Sequence, residues 1–162
     1  MLPATNDSHM TTPPPSNPLV GSWLLARWEV TYGDGRPASK PFGPNATGLI
    51  VYAPDFWMNA SMAQPPREKL TSESAKTAPA AERLAAFDSF FSYGGRYRLV
   101  REDGIDYVIH SVTQSLNPNL VGTEQKRRMS FDAGGTLTLA ADDTVPGSTV
   151  ARHHRLIWER AK

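Results

Sequence analysis

Hydrophobic and polar residues alternate with a period of two along most of this chain, the signature of strands that bury one face. The first run begins at Leu19 and reaches Tyr32. Thr47–Tyr52, Phe56–Ala63, Arg96–Arg101, Ile105–Gln114, Gly122–Phe131, Thr136–Ala140 and Ala151–Arg160 follow. Turn-forming sequences separate them: Gly33-Asp34-Gly35, Ala53-Pro54-Asp55, Glu102-Asp103-Gly104, Asn117-Pro118-Asn119, Ala133-Gly134-Gly135 and Val145-Pro146-Gly147. Glycine in such turns supplies the positive φ angles that tight hairpins need. About eight strands at hairpin spacing predict an all-β fold, a single antiparallel barrel whose first strand pairs with its last.

The period changes once. Over Ala78–Phe91, Pro79 suits a first helical turn, and Leu84, Phe87 and Phe91 fall at helical spacing, with Gly94-Gly95 as the stop. This predicts one helix at the side or mouth of the barrel. The segment before it, Gln64–Thr77, contains Pro65-Pro66 and has no period. It is expected to be mobile and to border the cavity mouth.

Composition narrows the picture. The 162 residues suffice for one domain with a real core, and a net charge of +1 gives no reason to expect a nucleic-acid partner. With no cysteine there can be no disulfide, thiolate nucleophile or cysteine metal site. No stretch approaches a membrane span, and Met1–Pro18 lacks the charged and apolar regions of a signal peptide, so a cytoplasmic protein without a membrane partner is expected. Ser8-His9-Met10 reads as an expression-tag remnant with Met10 the native start, followed by a Pro-rich, disordered lead-in to Pro18. The barrel domain is then 19–162.

Strand alternation also yields an inventory of inward side chains. On Gly122–Phe131, Gln125, Arg127, Met129 and Phe131 share a face opposite Glu124, Lys126, Arg128 and Ser130, and the first, more apolar set points inward. His154, Leu156 and Trp158 share a face of the last strand. Tyr52, Met58, Ala60, Met62, Tyr97 and Leu99 are further lining candidates. A lining of Trp57, Met58, Met62, Met129 and Trp158 is equally a plain core and a flexible apolar pocket for a bulky ligand. Arg127 is either a substrate contact or a structural cation; a cation–π contact of Arg127 or Arg155 with Trp23 would make it structural. His153-His154 does not read as a metal pair, since adjacent strand residues face opposite ways. Asp34, Asp103, Asp106 and Asp142-Asp143 are placed at turns, and none forms a carboxylate pair. No nucleophile elbow, phosphate loop or dinucleotide fingerprint is present. Neither a cofactor nor a metal is called for.

Several segments together resemble the lipocalin-like domain family, a calycin-type barrel. They are Leu19-Val-Gly-Ser-Trp23, Gly48-Leu-Ile-Val-Tyr52-Ala-Pro-Asp55 with Trp57-Met58-Asn59-Ala60, Tyr93-Gly-Gly-Arg-Tyr97, Val108-Ile-His110, Ser115-Leu-Asn-Pro118-Asn-Leu-Val-Gly122, Gln125-Lys-Arg127, Leu137-Thr-Leu139 and Arg155-Leu-Ile-Trp158-Glu-Arg160. The resemblance implies that Trp23 lids the closed end and that His110 faces inward. Related barrels in natural-product pathways resemble cyclases of polyketide or polyene substrates, and others are ligand binders.

Two functions follow as expectations. The first is a cofactor-free cyclase or isomerase acting on a hydrophobic polyketide- or terpenoid-like molecule, pericyclic (Diels–Alder type) closure included. There the cavity holds a near-attack conformer, and His110, Tyr52 and Arg127 serve as catalytic donors to a carbonyl. Gln125, Tyr97, Met58, Met62, Trp57, Met129 and Trp158 would contact the substrate. The second is a non-catalytic carrier using the same residues. A monomer or homodimer is expected.

Overall fold

The computed structural model describes residues 16–162; the segment expected to be a tag remnant and most of the Pro-rich lead-in lie outside the described residues. Eight antiparallel strands form one closed barrel in sequence order: β1 (Gly21–Tyr32), β2 (Thr47–Tyr52), β3 (Trp57–Ala63), β4 (Phe90–Glu102), β5 (Ile105–Ser115), β6 (Glu124–Phe131), β7 (Leu137–Thr144) and β8 (Ala151–Arg160). One helix, α1 (Ala80–Asp88), precedes β4. β1 closes the barrel against β8, from Trp23 opposite Arg160 to Tyr32 opposite Arg152.

Most strand boundaries follow the hydrophobic alternation. The differences have physical reasons. The helix is shorter than expected, and Phe91 belongs to β4, where it pairs with Met62. Leu84 and Phe87 are exposed, so the helical stripe has no core to bury against. Gly94-Gly95 does not stop a helix but lies within β4, beside an irregularity in the β4–β5 register. A Cβ on Gly95 would stand 2.0 Å from the Ser111 carbonyl oxygen, an approach that only glycine permits. Asp142 and Asp143 are not in a turn either, because β7 runs on to Thr144 in partnership with β8.

A second irregularity, between Leu25 and Arg27 of β1, changes the phase of alternation. Trp23 and Leu25 face inward before it; Trp28 and Val30 do so after it. Without that extra residue, Trp28 would face solvent.

One end of the barrel is sealed by the chain termini. Trp23 is buried, and its indole N–H donates to the Leu19 carbonyl at 2.8 Å. Arg160, rather than Arg127 or Arg155, stacks on the Trp23 ring at 4.2 Å and donates to the Pro18 and Val20 carbonyls. Asn17 donates to the Tyr97 hydroxyl, which itself donates to the Ala53 carbonyl. The apolar core, including Ile50, Leu137, Leu139 and Trp158, lies above this floor.

The opposite end carries the long connections. Segment 64–79 packs on α1 through bonds from Arg67 to Ala86 and Ser89 and from Thr71 to Glu82. None of its residues lines the main cavity. No helix among the described residues is long and apolar enough to cross a membrane.

Candidate functional site

The barrel encloses a cavity of about 530 Å³. Ile50, Ala60, Met62, Leu139, Leu156 and Trp158 give it an apolar wall, while Tyr93, Gln125, Arg127, Asp143 and His154 supply polar groups. These residues reach one space because alternation on β3, β4, β6, β7 and β8 sends them to the same side.

The wall is not uniform. β6 pairs with β7 only from Arg128–Ala140 to Phe131–Leu137. Towards the mouth, Glu124–Arg127 pair only with β5, and Ala141–Thr144 only with β8. The two strands splay apart there, and residues of both lips line the cavity. Arg127 lies on one lip and folds along its own strand, donating to the Lys126 carbonyl and the Gln125 side chain, both at 3.1 Å. Asp143 lies on the other.

Below Tyr93 is a buried polar chain. The Tyr52 hydroxyl lies 2.8 Å from His110 Nε2, and the Tyr93 hydroxyl 2.7 Å from Nδ1. A neutral imidazole has one donor and one acceptor. Tyr52 is fully buried with no other partner among the described residues, so its hydroxyl donates to Nε2. Nδ1–H then donates to the Tyr93 oxygen, and the Tyr93 hydroxyl hydrogen is left to face the cavity. The reverse order would strand a hydroxyl hydrogen at Tyr52, away from any acceptor, at a cost of about 1–3 kcal/mol.

Charge reinforces this order. Burial, with Arg127 nearby, pushes the His110 pKa down to about 3, so the ring is neutral at physiological pH. Burial raises the Tyr52 hydroxyl well above its ordinary value. It also raises Tyr93, against an opposing effect of the Arg127 cation. All three side chains therefore act as neutral hydrogen-bonding groups.

The expected site residues divide. Gln125, Arg127, Met62 and Trp158 line the cavity. His110 and Tyr52 do not; they stand behind Tyr93 and reach the ligand space only through it. Tyr97 is held at the sealed floor by Asn17 and Ala53, and Met58 and Met129 pack in or against the core. Trp57 faces outward, with Arg96 over its ring at 5.2 Å, because the buried face of β3 is Met58, Ala60 and Met62. Sequence reasoning omitted Tyr93 from the named site, and it set Asp143 aside as a turn residue. The alternation of Ala141 and Asp143 with Leu139 was the available signal.

Among the described residues, the Trp158 indole nitrogen is a buried side-chain polar atom with no hydrogen-bond partner of any kind. Among the described residues no cluster of three or more His, Cys, Asp or Glu could hold a metal.

A cavity of this shape inside a closed eight-stranded antiparallel barrel defines a small-molecule-binding β-barrel protein. The chain belongs to the lipocalin-like domain family, whose family model matches residues 20–161. No curated protein matches the chain in sequence.

Proposed function

We propose that the barrel binds a bulky hydrophobic small molecule bearing a carbonyl or similar acceptor group, of polyketide- or terpenoid-like kind. The observation that carries this is the Tyr93 hydroxyl, left without an acceptor by the Tyr52–His110 chain and set in an otherwise largely apolar cavity. Apolar walls take the carbon skeleton, and the donor fixes its orientation. Arg127 adds positive charge on the same side.

A second reading adds turnover without a cofactor, namely cyclisation or isomerisation of that ligand. The pairing of Tyr93 with the Arg127 cation favours it, since donors fixed in a dry site stabilise charge developing on a carbonyl oxygen. The placement of His110 and Tyr52 behind Tyr93 favours binding without turnover. Both act as positioning residues for Tyr93 in either case.

The test is native mass spectrometry of the purified protein, followed by titration with an alkyl ketone and with the alkane of equal length. Tryptophan fluorescence reports binding, because Trp28 and Trp158 line the cavity. Tighter binding of the ketone, lost in Tyr93→Phe, supports the proposal. Equal affinities for ketone and alkane would refute it.

A further inference from the structure

The strand-β8 wall holds a second polar group, separate from the Tyr52–His110–Tyr93 chain. His154 lines the cavity with its side chain 17% exposed. Its Nε2 lies 3.2 Å from an Asp143 carboxylate oxygen. Arg152 holds that same carboxylate through both oxygens, at 2.7 and 2.5 Å, which fixes its position and keeps it ionised. The remaining ring nitrogen, Nδ1, faces the Trp28 indole N–H at 3.4 Å, the long limit of a hydrogen bond.

These contacts settle the tautomer. A carboxylate accepts only, so Nε2 carries the hydrogen. An indole N–H donates only, so Nδ1 carries the lone pair. Both Trp28 and His154 line the cavity, and the Trp28 contact is long enough to be given up to a ligand. Burial is the largest influence on the His154 pKa and lowers it, so the ring is unprotonated at neutral pH. Its sequence neighbour His153 forms a similar pair with Asp142 at 2.8 Å, but its side chain is 53% exposed and does not line the cavity. A paired His and Asp occur on both faces of the same strand pair; of the two histidines, only His154 lines the ligand space.

We infer that His154, oriented by Asp143, is a proton acceptor for a carbon acid: it removes the C–H proton next to the carbonyl that Tyr93 holds from the opposite wall of the cavity, with the Arg127 cation on β6 beside it. Strands β4 and β8 stand on opposite walls of the barrel, so a ligand carbonyl at Tyr93 leaves its carbon chain pointing towards β8. In the step, the C–H bond breaks and its proton passes to Nδ1. The electron pair forms a C=C bond, and the carbonyl π pair moves to oxygen, giving an enolate beside Tyr93 and Arg127. Where a C=C bond lies β,γ to the carbonyl, the enolate is a dienolate, and return of the proton to its γ carbon moves the double bond into conjugation and completes an isomerisation. Attack of the enolate carbon on a second carbonyl of the same ligand closes a ring, and the imidazolium protonates the resulting alkoxide. No oxidant, reductant or second substrate is consumed. The inference rests on the proposed carbonyl-binding reading.

The test uses acetylacetone carrying an octyl substituent as the probe, in heavy water. Tryptophan fluorescence measures binding, and proton NMR measures deuterium uptake at the carbon between the two carbonyls. Wild type should bind the probe and speed uptake at least about tenfold over buffer. His154→Gln should return uptake to the buffer rate while the dissociation constant changes less than about twofold and the circular dichroism spectrum is retained. Asp143→Asn should lower the rate about tenfold or more and shift its pH profile, a readout that a merely structural role would not move. The charged groups facing His154 in that profile are Asp143, Arg152 and Arg127. His153→Gln is the control and should leave uptake unchanged. A bound probe whose exchange is not accelerated, or is equally fast in His154→Gln, overturns the inference and leaves ligand binding standing. Failure of wild type to bind the probe overturns both.

Discussion

Burial of neutral His110 makes the barrel's stability depend on pH in a window of its own. The pKa falls from 6.5 unfolded to about 3 folded. The unfolded chain therefore takes up a proton at a pH where the folded barrel does not. The contribution of neutral His110 is complete above 6.5 and is lost as pH falls towards about 3. At about 1.4 kcal/mol per pKa unit the whole effect is about 5 kcal/mol, and roughly 2 kcal/mol of it disappears between pH 7 and pH 5. For a domain of this size that corresponds to a fall in Tm of about 4–8 °C. The lowered carboxylates, among them Asp143 and Asp132, act in the same direction only nearer to their ordinary value of 3.8, so the window above pH 5 belongs to the histidines. The lowered pKa of His154 adds a smaller loss of the same sign. Urea unfolding of wild type and His110→Gln at intervals from pH 7 to pH 5 separates the two. The variant's amide can still bond both tyrosines, so it should fold with a much flatter pH dependence. Parallel curves for the two proteins would refute the assignment of a neutral, buried His110.

Gly95→Ala should destabilise the barrel by about 3 kcal/mol or more in chemical denaturation, because a Cβ there meets the Ser111 carbonyl at 2.0 Å. Trp158→Phe should change stability by less than about 1 kcal/mol, since the void it leaves is offset by removal of a buried donor with no partner. Trp23→Phe should cost about 2–4 kcal/mol by the same assay, as it loses both volume and the bond to Leu19. Arg127→Ala should leave Tm nearly unchanged, its bonds being to its own strand, yet weaken binding of an alkyl ketone by about tenfold in fluorescence titration.

The fold was legible where alternation was strict. β2 and β8 match their expected bounds to the residue, because each has one more deeply buried face and a turn at its end, whereas β5 buries Val108, Ile109 and His110 in succession. The helix was overextended because Phe91 satisfies helical spacing from Leu84 and strand spacing with Tyr93 equally well; pairing with β3 decided the matter. The site was legible only as a list of inward residues. The family resemblance, rather than alternation, brings His110 to the interior, and it says nothing of depth; it is depth that sets His110 and Tyr52 behind Tyr93. The partnership of Asp143 with His154 required knowing that β7 continues past Ala140, and two consecutive acidic residues argued for a turn. Arg160, unlike Arg127, is the cation that stacks on Trp23, a choice that depends on the β1–β8 register.

That register also governs how the polypeptide reaches its native state. Every other neighbouring pair of strands is consecutive in sequence and can form once its second strand has been made. The contact of Trp23 with Arg160 spans nearly the entire molecule, and closing so long a loop costs chain entropy before any burial offsets it. A nascent chain on the ribosome can build the sheet from β1 to β7 but cannot close it until β8 has emerged, and cannot cover Trp23 until Arg160 has. Until then β1 and β7 each present an unpaired edge, and Trp23 lacks the guanidinium that covers it. Loss of the whole of β8 would leave a sheet permanently open along both edges, prone to pairing with another copy of itself.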